Sequence, residues 1–356
     1  MTIHNLPKYR IHTQQLLNTQ FSTPAEMVRY FGAMQAQDYA MAKWAVGIRL
    51  GARESTIENA LASGDIIRTH ILRPTWHFVA AEDIRWMLKL TAPHVKRIAA
   101  PMNKRHDLDE KTLHRFNEII AKSLSGNKHL TREEIMQELQ LKTDTANDIR
   151  PTLISMNAEL DGIICSGAMR GKQITYSLLD ERVPNSPALS HEEALVALSK
   201  KYFTSHGPAT VNDFAWWSGL SIANSKLAIE LIKPDFQSIN IDNQTYLFDP
   251  TLHRTIDESN IIHFLPAFDE FLISYKDRTA SIALDNQPKA FSKNGIFYPV
   301  ISINGKAVGT WKRTLKKDTA IIQTQFFNQK QIPLTDAFFK AAEQYGNYIG
   351  KKTIVH

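Results

Sequence analysis

One order of elements recurs three times along this chain, and it limits the possible folds more than any single residue does. The clearest copy lies mid-chain, where residues 113–124 (LHRFNEIIAKSL) are amphipathic at helical spacing. After the turn Ser125-Gly126-Asn127 comes Thr131 with Glu134 three residues on, the capping-box signature of a helix start. Ile135, Met136 and Leu139 continue that helix's apolar face, and a third helix fits 148–160 with Pro151 near its start. Two short apolar runs, 162–165 and 173–178, flank the Gly-rich tip 166–172, which carries Arg170 and Lys172, and predict a β-hairpin. Helix, short strand, helix, helix, two-stranded wing is the order of a winged helix-turn-helix.

Downstream, the segments 192–204, 211–217, 221–232 and the hairpin 236–248 around Asp242-Asn243 repeat this order. Upstream, helices over 24–34, 38–50 and 56–63 and a wing-like pair over 66–71 and 73–79 give a less regular third copy. From Ile256 strands dominate, with an Asn304-Gly305 hairpin turn, a strand over 320–327 and a closing helix over 334–345. The expected fold is α+β, mainly α: three tandem winged helix-turn-helix domains (1–95, 96–182, 183–252) and a β-rich C-terminal domain (253–356).

At 356 residues each such domain can bury its own core. No apolar run approaches the roughly 18 residues of a spanning helix, and 1–17 lacks a signal-peptide core, so a cytoplasmic location with no membrane partner is expected. One cysteine, Cys165, excludes an internal disulfide framework and reads as a small buried hydrophobe. The thirteen histidines form no HExxH or related pattern, so no metal site is expected. Nor is there a phosphate loop, nucleophile elbow or dinucleotide fingerprint, which argues for no nucleotide cofactor and no cofactor of any kind. Lys and Arg total 42 against 36 Asp and Glu, a mild excess compatible with nucleic acid without demanding it.

Against that background Gln35-Ala36-Gln37 stands out, a polar triplet where two apolar helices meet. Residues two apart on a helix point about 200° from one another, so the two amides can share a spot only if the backbone leaves helical geometry there. The triplet is either a solvated corner or a site. Winged helices are first of all DNA-binding modules. The third helices here are weakly basic, which moves the expected duplex contacts to wings, loops and links. The candidates are Lys96, Arg97, Lys104 and Arg105 between the first two copies, Arg170 and Lys172 on a wing tip, and Lys312, Arg313, Lys316 and Lys317 after the Asn-Gly turn. Each cluster alone reads better as solvated charge, and only several of them on one chain of winged helices point to phosphate contact. Asp269 and Glu270 are adjacent and must diverge on a helix or a strand, which argues against a catalytic dyad. Residues 275–278 read as a hydrogen-bonded corner, and His77 as a site or core residue.

Taken together, Gln35-Ala36-Gln37, Arg73-Pro74-Thr75-Trp76-His77, Leu265-Pro266-Ala267-Phe268-Asp269-Glu270 and Val308-Gly309-Thr310-Trp311-Lys312-Arg313 resemble the AlkZ-type DNA glycosylases. The resemblance implies tandem winged helices, a double-stranded DNA partner and hydrolysis of the N-glycosidic bond of alkylated purines, interstrand crosslinks included. It implies functional roles for Gln35 and Gln37, the Gln-x-Gln form of the family's motif, in a chain expected to act as a monomer.

The chemistry fits two neutral amides. An N7- or N3-alkylated purine is already cationic and departs without a general acid, leaving a water to place and an oxocarbenium ion to stabilise. Amide oxygens can do both. Asp38 is a secondary candidate for a base, and Trp76 and His77 are supporting candidates. No lysine is positioned for a Schiff base, so a monofunctional hydrolase is expected. A base tied to the opposite strand cannot fully flip, which predicts an open cleft. The alternatives are a non-catalytic winged-helix DNA-binding regulator or architectural protein, and a protein-interaction module.

Overall fold

The structure is a computed structural model that describes residues 2–141, 148–185, 188–252, 261–328 and 335–356. It is a mixed α+β fold in which helix predominates. A short helix α1 (Leu6–Thr13) precedes a first segment made of α2 (Pro24–Phe31), β1 (Ala33–Gln35), α3 (Tyr39–Leu50), α4 (Glu54–Ser63), β2 (Ile66–His70) and β3 (Trp76–Ala80). The long α5 (Ile84–Arg105) leads to α6 (Glu110–Leu124), β4 (Leu130–Thr131), α7 (Arg132–Glu138), α8 (Arg150–Leu160), β5 (Ile164–Ser166), β6 (Thr175–Leu178) and α9 (Leu179–Arg182). Next come α10 (His191–His206), α11 (Val211–Ser218), α12 (Ile222–Ile232), β7 (Gln237–Ile241) and β8 (Gln244–Phe248). The last segment holds β9 (Ile262–Leu265), α13 (Glu270–Ile273), α14 (Gln287–Ala290), β10 (Val300–Ile303), β11 (Lys306–Leu315), β12 (Thr319–Phe326), α15 (Asp336–Ile349) and β13 (Lys352–Val355).

The first three segments share one topology. Their sheets run β1-β3-β2 and β4-β6-β5, and in the third the isolated Ala209–Leu247 bridge pairs with the β7-β8 hairpin in the same way. The final segment is a five-stranded sheet, β13-β12-β11-β10-β9. Local chemistry accounts for several element ends. Thr131 and Glu134 form a reciprocal capping box, and Thr210 with Asp213 another. Asp242 and Asn243 both take positive φ (48° and 60°), the requirement of a tight two-residue hairpin.

Two differences from the sequence reading bear on the site. The helix expected over 24–34 ends at Phe31, where Gly32 (φ 79°) turns the chain into β1. The link carrying Lys96 to Arg105 is the second half of α5, continuous despite Pro93 and Pro101, so the boundary expected at 95/96 falls inside one helix. The pattern change at Ile256 and the helix start at Leu334 lie outside the described residues.

Apolar packing crosses from segment to segment. One core joins α2, α3 and α4 to the five-stranded sheet and α15 through Trp44, Phe264, Trp311, Phe338 and Tyr345. The Trp44 and Trp311 indole N–H groups donate to the Phe264 and Leu265 carbonyls at 2.9 and 2.8 Å, which lets both rings bury without an orphan donor. A second core joins the β1-β3-β2 sheet and α5 to α10, α11 and α12 through Phe203, Phe214 and Trp217. The first segment is thus held from both sides, and the loop between β2 and β3 is pressed against the end of α11.

Gly219 shows how tight that contact is. It sits at φ +70°, and a Cβ added there would lie 2.2 Å from the Leu72 carbonyl oxygen. Gly219→Ala is expected to destabilise the fold by at least about 1–2 kcal/mol, the cost of a left-handed backbone alone, with a further loss from displaced loop. Urea unfolding measures it, and wild-type stability in this variant would show that the loop yields freely.

Candidate active site

Gln35 is the last residue of β1, paired opposite His77 on β3. The chain then leaves regular structure for Ala36, Gln37 and Asp38 before α3 begins. Asp38 is the N-cap of that helix, its carboxylate accepting from the Met41 N–H at 3.0 Å, so this side chain is engaged in starting α3. Three fixed points hold the triplet. The Ala36 N–H donates to the Trp76 carbonyl at 2.7 Å, and Arg68 Nε donates to the Ala36 carbonyl at 3.0 Å. The Gln35 N–H donates to Glu270 Oε1 at 2.5 Å, across 235 residues of sequence.

The two glutamines differ. Gln35 is buried, and its Oε1 accepts from Arg73 Nη2 at 2.9 Å, with the Thr75 hydroxyl at 3.5 Å. A guanidinium only donates, so this contact fixes which end of the amide faces Arg73. Gln37 is exposed, and its side chain has no hydrogen-bond partner among the described residues. One amide is pre-oriented and the other is free to meet a ligand.

Glu270 anchors the arrangement from behind. Its Oε2 accepts from Trp217 Nε1 at 3.2 Å, from the Ser274 hydroxyl and from His206 Nε2 at 3.4 Å. Burial alone would raise this carboxyl, but the hydrogen bonds from His206, Ser274 and the Gln35 amide hold it at about 2. Its neighbour Asp269 points elsewhere, into a bidentate pair with Arg49 at 2.8 and 2.8 Å. The two adjacent carboxylates thus diverge, and each serves a different buried partner.

His77 is fully buried with Nδ1 at 2.9 Å from the Thr75 carbonyl, so Nδ1 carries the proton and Nε2 is left without a partner. Burial, reinforced by the Arg73 charge, lowers its pKa to about 3, and burial likewise lowers His263 to about 4. Both histidines stay neutral in the folded chain while an unfolded chain protonates them near 6.5. Below pH 6.5 the unfolded state therefore binds more protons, and stability falls with pH by about 1.4 kcal/mol per unit for each histidine until the folded values are reached. Urea unfolding between pH 7 and 4.5 should show that slope; a flat profile would mean that these rings titrate as in water.

Trp76 is half-buried on β3, its ring centroid 4.3 Å from that of His70 and 4.4 Å from the Arg68 guanidinium carbon. It is therefore held in place beside the triplet. Among the described residues no three His, Cys, Asp or Glu side chains group as metal ligands.

The sequence profile of the AlkZ-like DNA glycosylases matches residues 28–348, nearly the whole chain. The chain belongs to the AlkZ-like DNA glycosylase family. The fold agrees: Streptomyces sahachiroi DNA glycosylase AlkZ superimposes over 100% of both chains with a TM-score of 0.82, at 20% sequence identity. No curated protein sequence matches the chain.

Membership of the AlkZ-like family makes DNA the partner, which puts a premium on where the basic candidates lie. Lys96 pairs with Asp161, and Arg97 lies against His94 at 2.7 Å, while Lys104 and Arg105 are exposed at the end of α5. Arg170 pairs with Glu134 at 2.7 Å, leaving Lys172 exposed on the tip. Lys312 is exposed on β11, and Arg313 reaches over the Tyr345 ring at 5.8 Å. None of these makes a contact to Gln35 or Gln37. The residues that do surround the triplet are Arg68, Arg73 and Glu270, which the sequence reading gave no role. Only a segment-wide resemblance marked Arg73 and Glu270, and nothing marked Arg68. Among the described residues no helix is long and apolar enough to cross a membrane.

Proposed function

We propose that this AlkZ-like glycosylase hydrolyses the N-glycosidic bond of cationic alkylated purines in double-stranded DNA, N7 and N3 adducts and interstrand crosslinks among them. Gln35 and Gln37 hold the attacking water. The observation that carries this reading is the pairing of a buried, pre-oriented Gln35 with an exposed, unpartnered Gln37 on one short non-helical turn. Gln35 Oε1 accepts firmly from Arg73 and only at 3.5 Å from the Thr75 hydroxyl, a long contact that a bound water would replace, and the Gln37 amide is wholly available. The ionised Glu270 behind the turn adds a fixed negative charge that opposes Arg73 and favours a developing sugar cation. Asp38 and the neutral His77 act as supports of the turn, with Trp76 as its floor.

The three helix–strand–helix–helix–strand–strand segments are read as winged helices that form a scaffold for the duplex, the first two joined through α5 across the expected 95/96 limit, with further limits near 182/183 and 252/253. Lys96, Arg97, Lys104, Arg105, Arg170, Lys172, Lys312 and Arg313 are proposed as phosphate contacts. No lysine among the described residues hydrogen-bonds to either glutamine, which favours a monofunctional enzyme without a lyase step. The chain acts as a monomer, with no nucleotide cofactor.

An excision assay on duplexes carrying N7-methylguanine, N3-methyladenine or an N7–N7 crosslink tests this. Release of the free base with an uncleaved abasic strand is expected. Salt-dependent binding with no base released from any of them would instead support a DNA-binding regulator.

A further inference from the structure

The surface beside Gln35 holds a group of side chains that the proposed water chemistry does not use. Trp216 on α11 is 42% exposed, unusual for an indole, yet its orientation is fixed by Nε1 donating to the Ile273 carbonyl at 2.9 Å. Two guanidiniums approach this ring, Arg278 at 5.2 Å and Arg73 at 6.0 Å from its centroid. Arg73 is the residue that donates to Gln35.

Neither arginine has a carboxylate salt-bridge partner among the described residues. Arg73 spends one N–H on Gln35, and Arg278 donates to the Leu272 and Lys276 carbonyls at 2.9 and 3.3 Å. Arg73 Nε and Arg278 Nη2 are buried with no acceptor at all. The nearby Asp213 carboxylate is spent on Thr210 and on the Lys276 and Asp277 N–H groups, and Asp277 on Thr279. Burial and the like charge of Arg73 push the Arg278 pKa down to about 10, which the more distant Asp213 and Asp277 carboxylates only partly offset. A rigid exposed aromatic ring beside two under-satisfied guanidiniums suits one nucleotide unit: an anionic phosphate for the forks and a flat or sugar surface for the ring.

We propose that Trp216, Arg73 and Arg278 form a subsite for the nucleotide next to the damaged one, its phosphate on the two guanidiniums and its sugar and base against the Trp216 ring. The proposal rests on the glycosylase reading for its location beside the reacting sugar. A cationic purine itself is excluded from this subsite by the two positive charges, which separates the neighbour's place from the adduct's.

Binding to a duplex with one tetrahydrofuran abasic analogue tests the subsite without any turnover. Each phosphate within two nucleotides of the analogue is replaced in turn by an uncharged methylphosphonate. One position is expected to weaken wild-type binding about 10-fold, the scale of a charged hydrogen-bonded contact. At that position the replacement should cost Arg278→Gln clearly less than the wild type, about 3-fold, because one of the two guanidiniums is already gone. Trp216→Ala should bind the analogue duplex about 10-fold more weakly, in line with a lost stacking contact, while an undamaged duplex changes little. Equal losses for Arg278→Gln and wild type at every phosphate, or no loss in Trp216→Ala, would overturn the subsite. If Arg278→Gln does not fold, the wild-type scan together with Trp216→Ala, an exposed side chain, decides in its place. Base release from an N7-methylguanine duplex by the wild type is run alongside. Release without phosphate coupling removes the subsite alone, and no release removes the glycosylase reading.

Discussion

Gln37→Ala is expected to slow single-turnover base release by about 100-fold, the scale on which removing one preorganised polar group lowers a rate. The fold should be unchanged, within about 0.5 kcal/mol by urea unfolding, because an exposed side chain without partners contributes little to stability. Duplex affinity should also persist, since a single neutral amide releases no counter-ions. Gln35→Ala should lose activity comparably but cost stability as well. It leaves Arg73 Nη2 without its acceptor in a half-buried position, a loss of about 1–3 kcal/mol. The contrast between the two variants follows from geometry. A pair of glutamines serving only as a helix corner would show the stability difference and no change in rate.

The largest effect on stability is expected from Asp269→Ala. The Arg49–Asp269 pair is almost wholly buried and bidentate, and it joins α3 to the start of α13. Asp269 also caps α13 by accepting from the Phe271 N–H at 2.9 Å. Removing one member of a buried ion pair strands the other charge, at a cost of about 3–5 kcal/mol. Because the next residue, Glu270, anchors the Gln35 backbone, activity should fall with stability in this variant. Asp269→Asn keeps the cap and part of the hydrogen bonding and should lie between. Equal unfolding midpoints for wild type and Asp269→Ala would show that the pair contributes nothing to holding the first and last segments together.

Local signals were readable in the chain wherever the chemistry was itself local. Thr131 and Glu134 lie three residues apart and make the cap their spacing implies, and Asp242-Asn243 and Asn304-Gly305 turn where their tolerance of positive φ allows. The stretch of α5 that carries Lys96 to Arg105 was read only as a link between two copies; Pro93 and Pro101 are accommodated inside one continuous helix. β1 was hidden because Ala33 and Met34 continue the apolar pattern of the preceding helix; Gly32 was the available clue. At the site, two amides meeting at one spot require non-helical backbone at Gln35–Gln37, and that backbone is present. Its anchors could not be read in the same way. Glu270 lies 235 residues from Gln35, and the divergence of Asp269 and Glu270 spoke only against a dyad, not for two separate buried partners. Arg68 and Trp216 carry no local signature at all. Contacts between distant segments are set by how the cores pack, and spacing along the chain does not encode them.

The central claim is that two uncharged amides on one turn place the water that cleaves the bond. It is tested most directly by single-turnover release of 7-methylguanine from a duplex, comparing wild type with the Gln35→Ala/Gln37→Ala double variant and measuring duplex affinity in parallel. The account predicts free base and an intact abasic strand from the wild type, with release by the double variant close to the spontaneous rate at similar affinity. Base release by the double variant at the wild-type rate would contradict it.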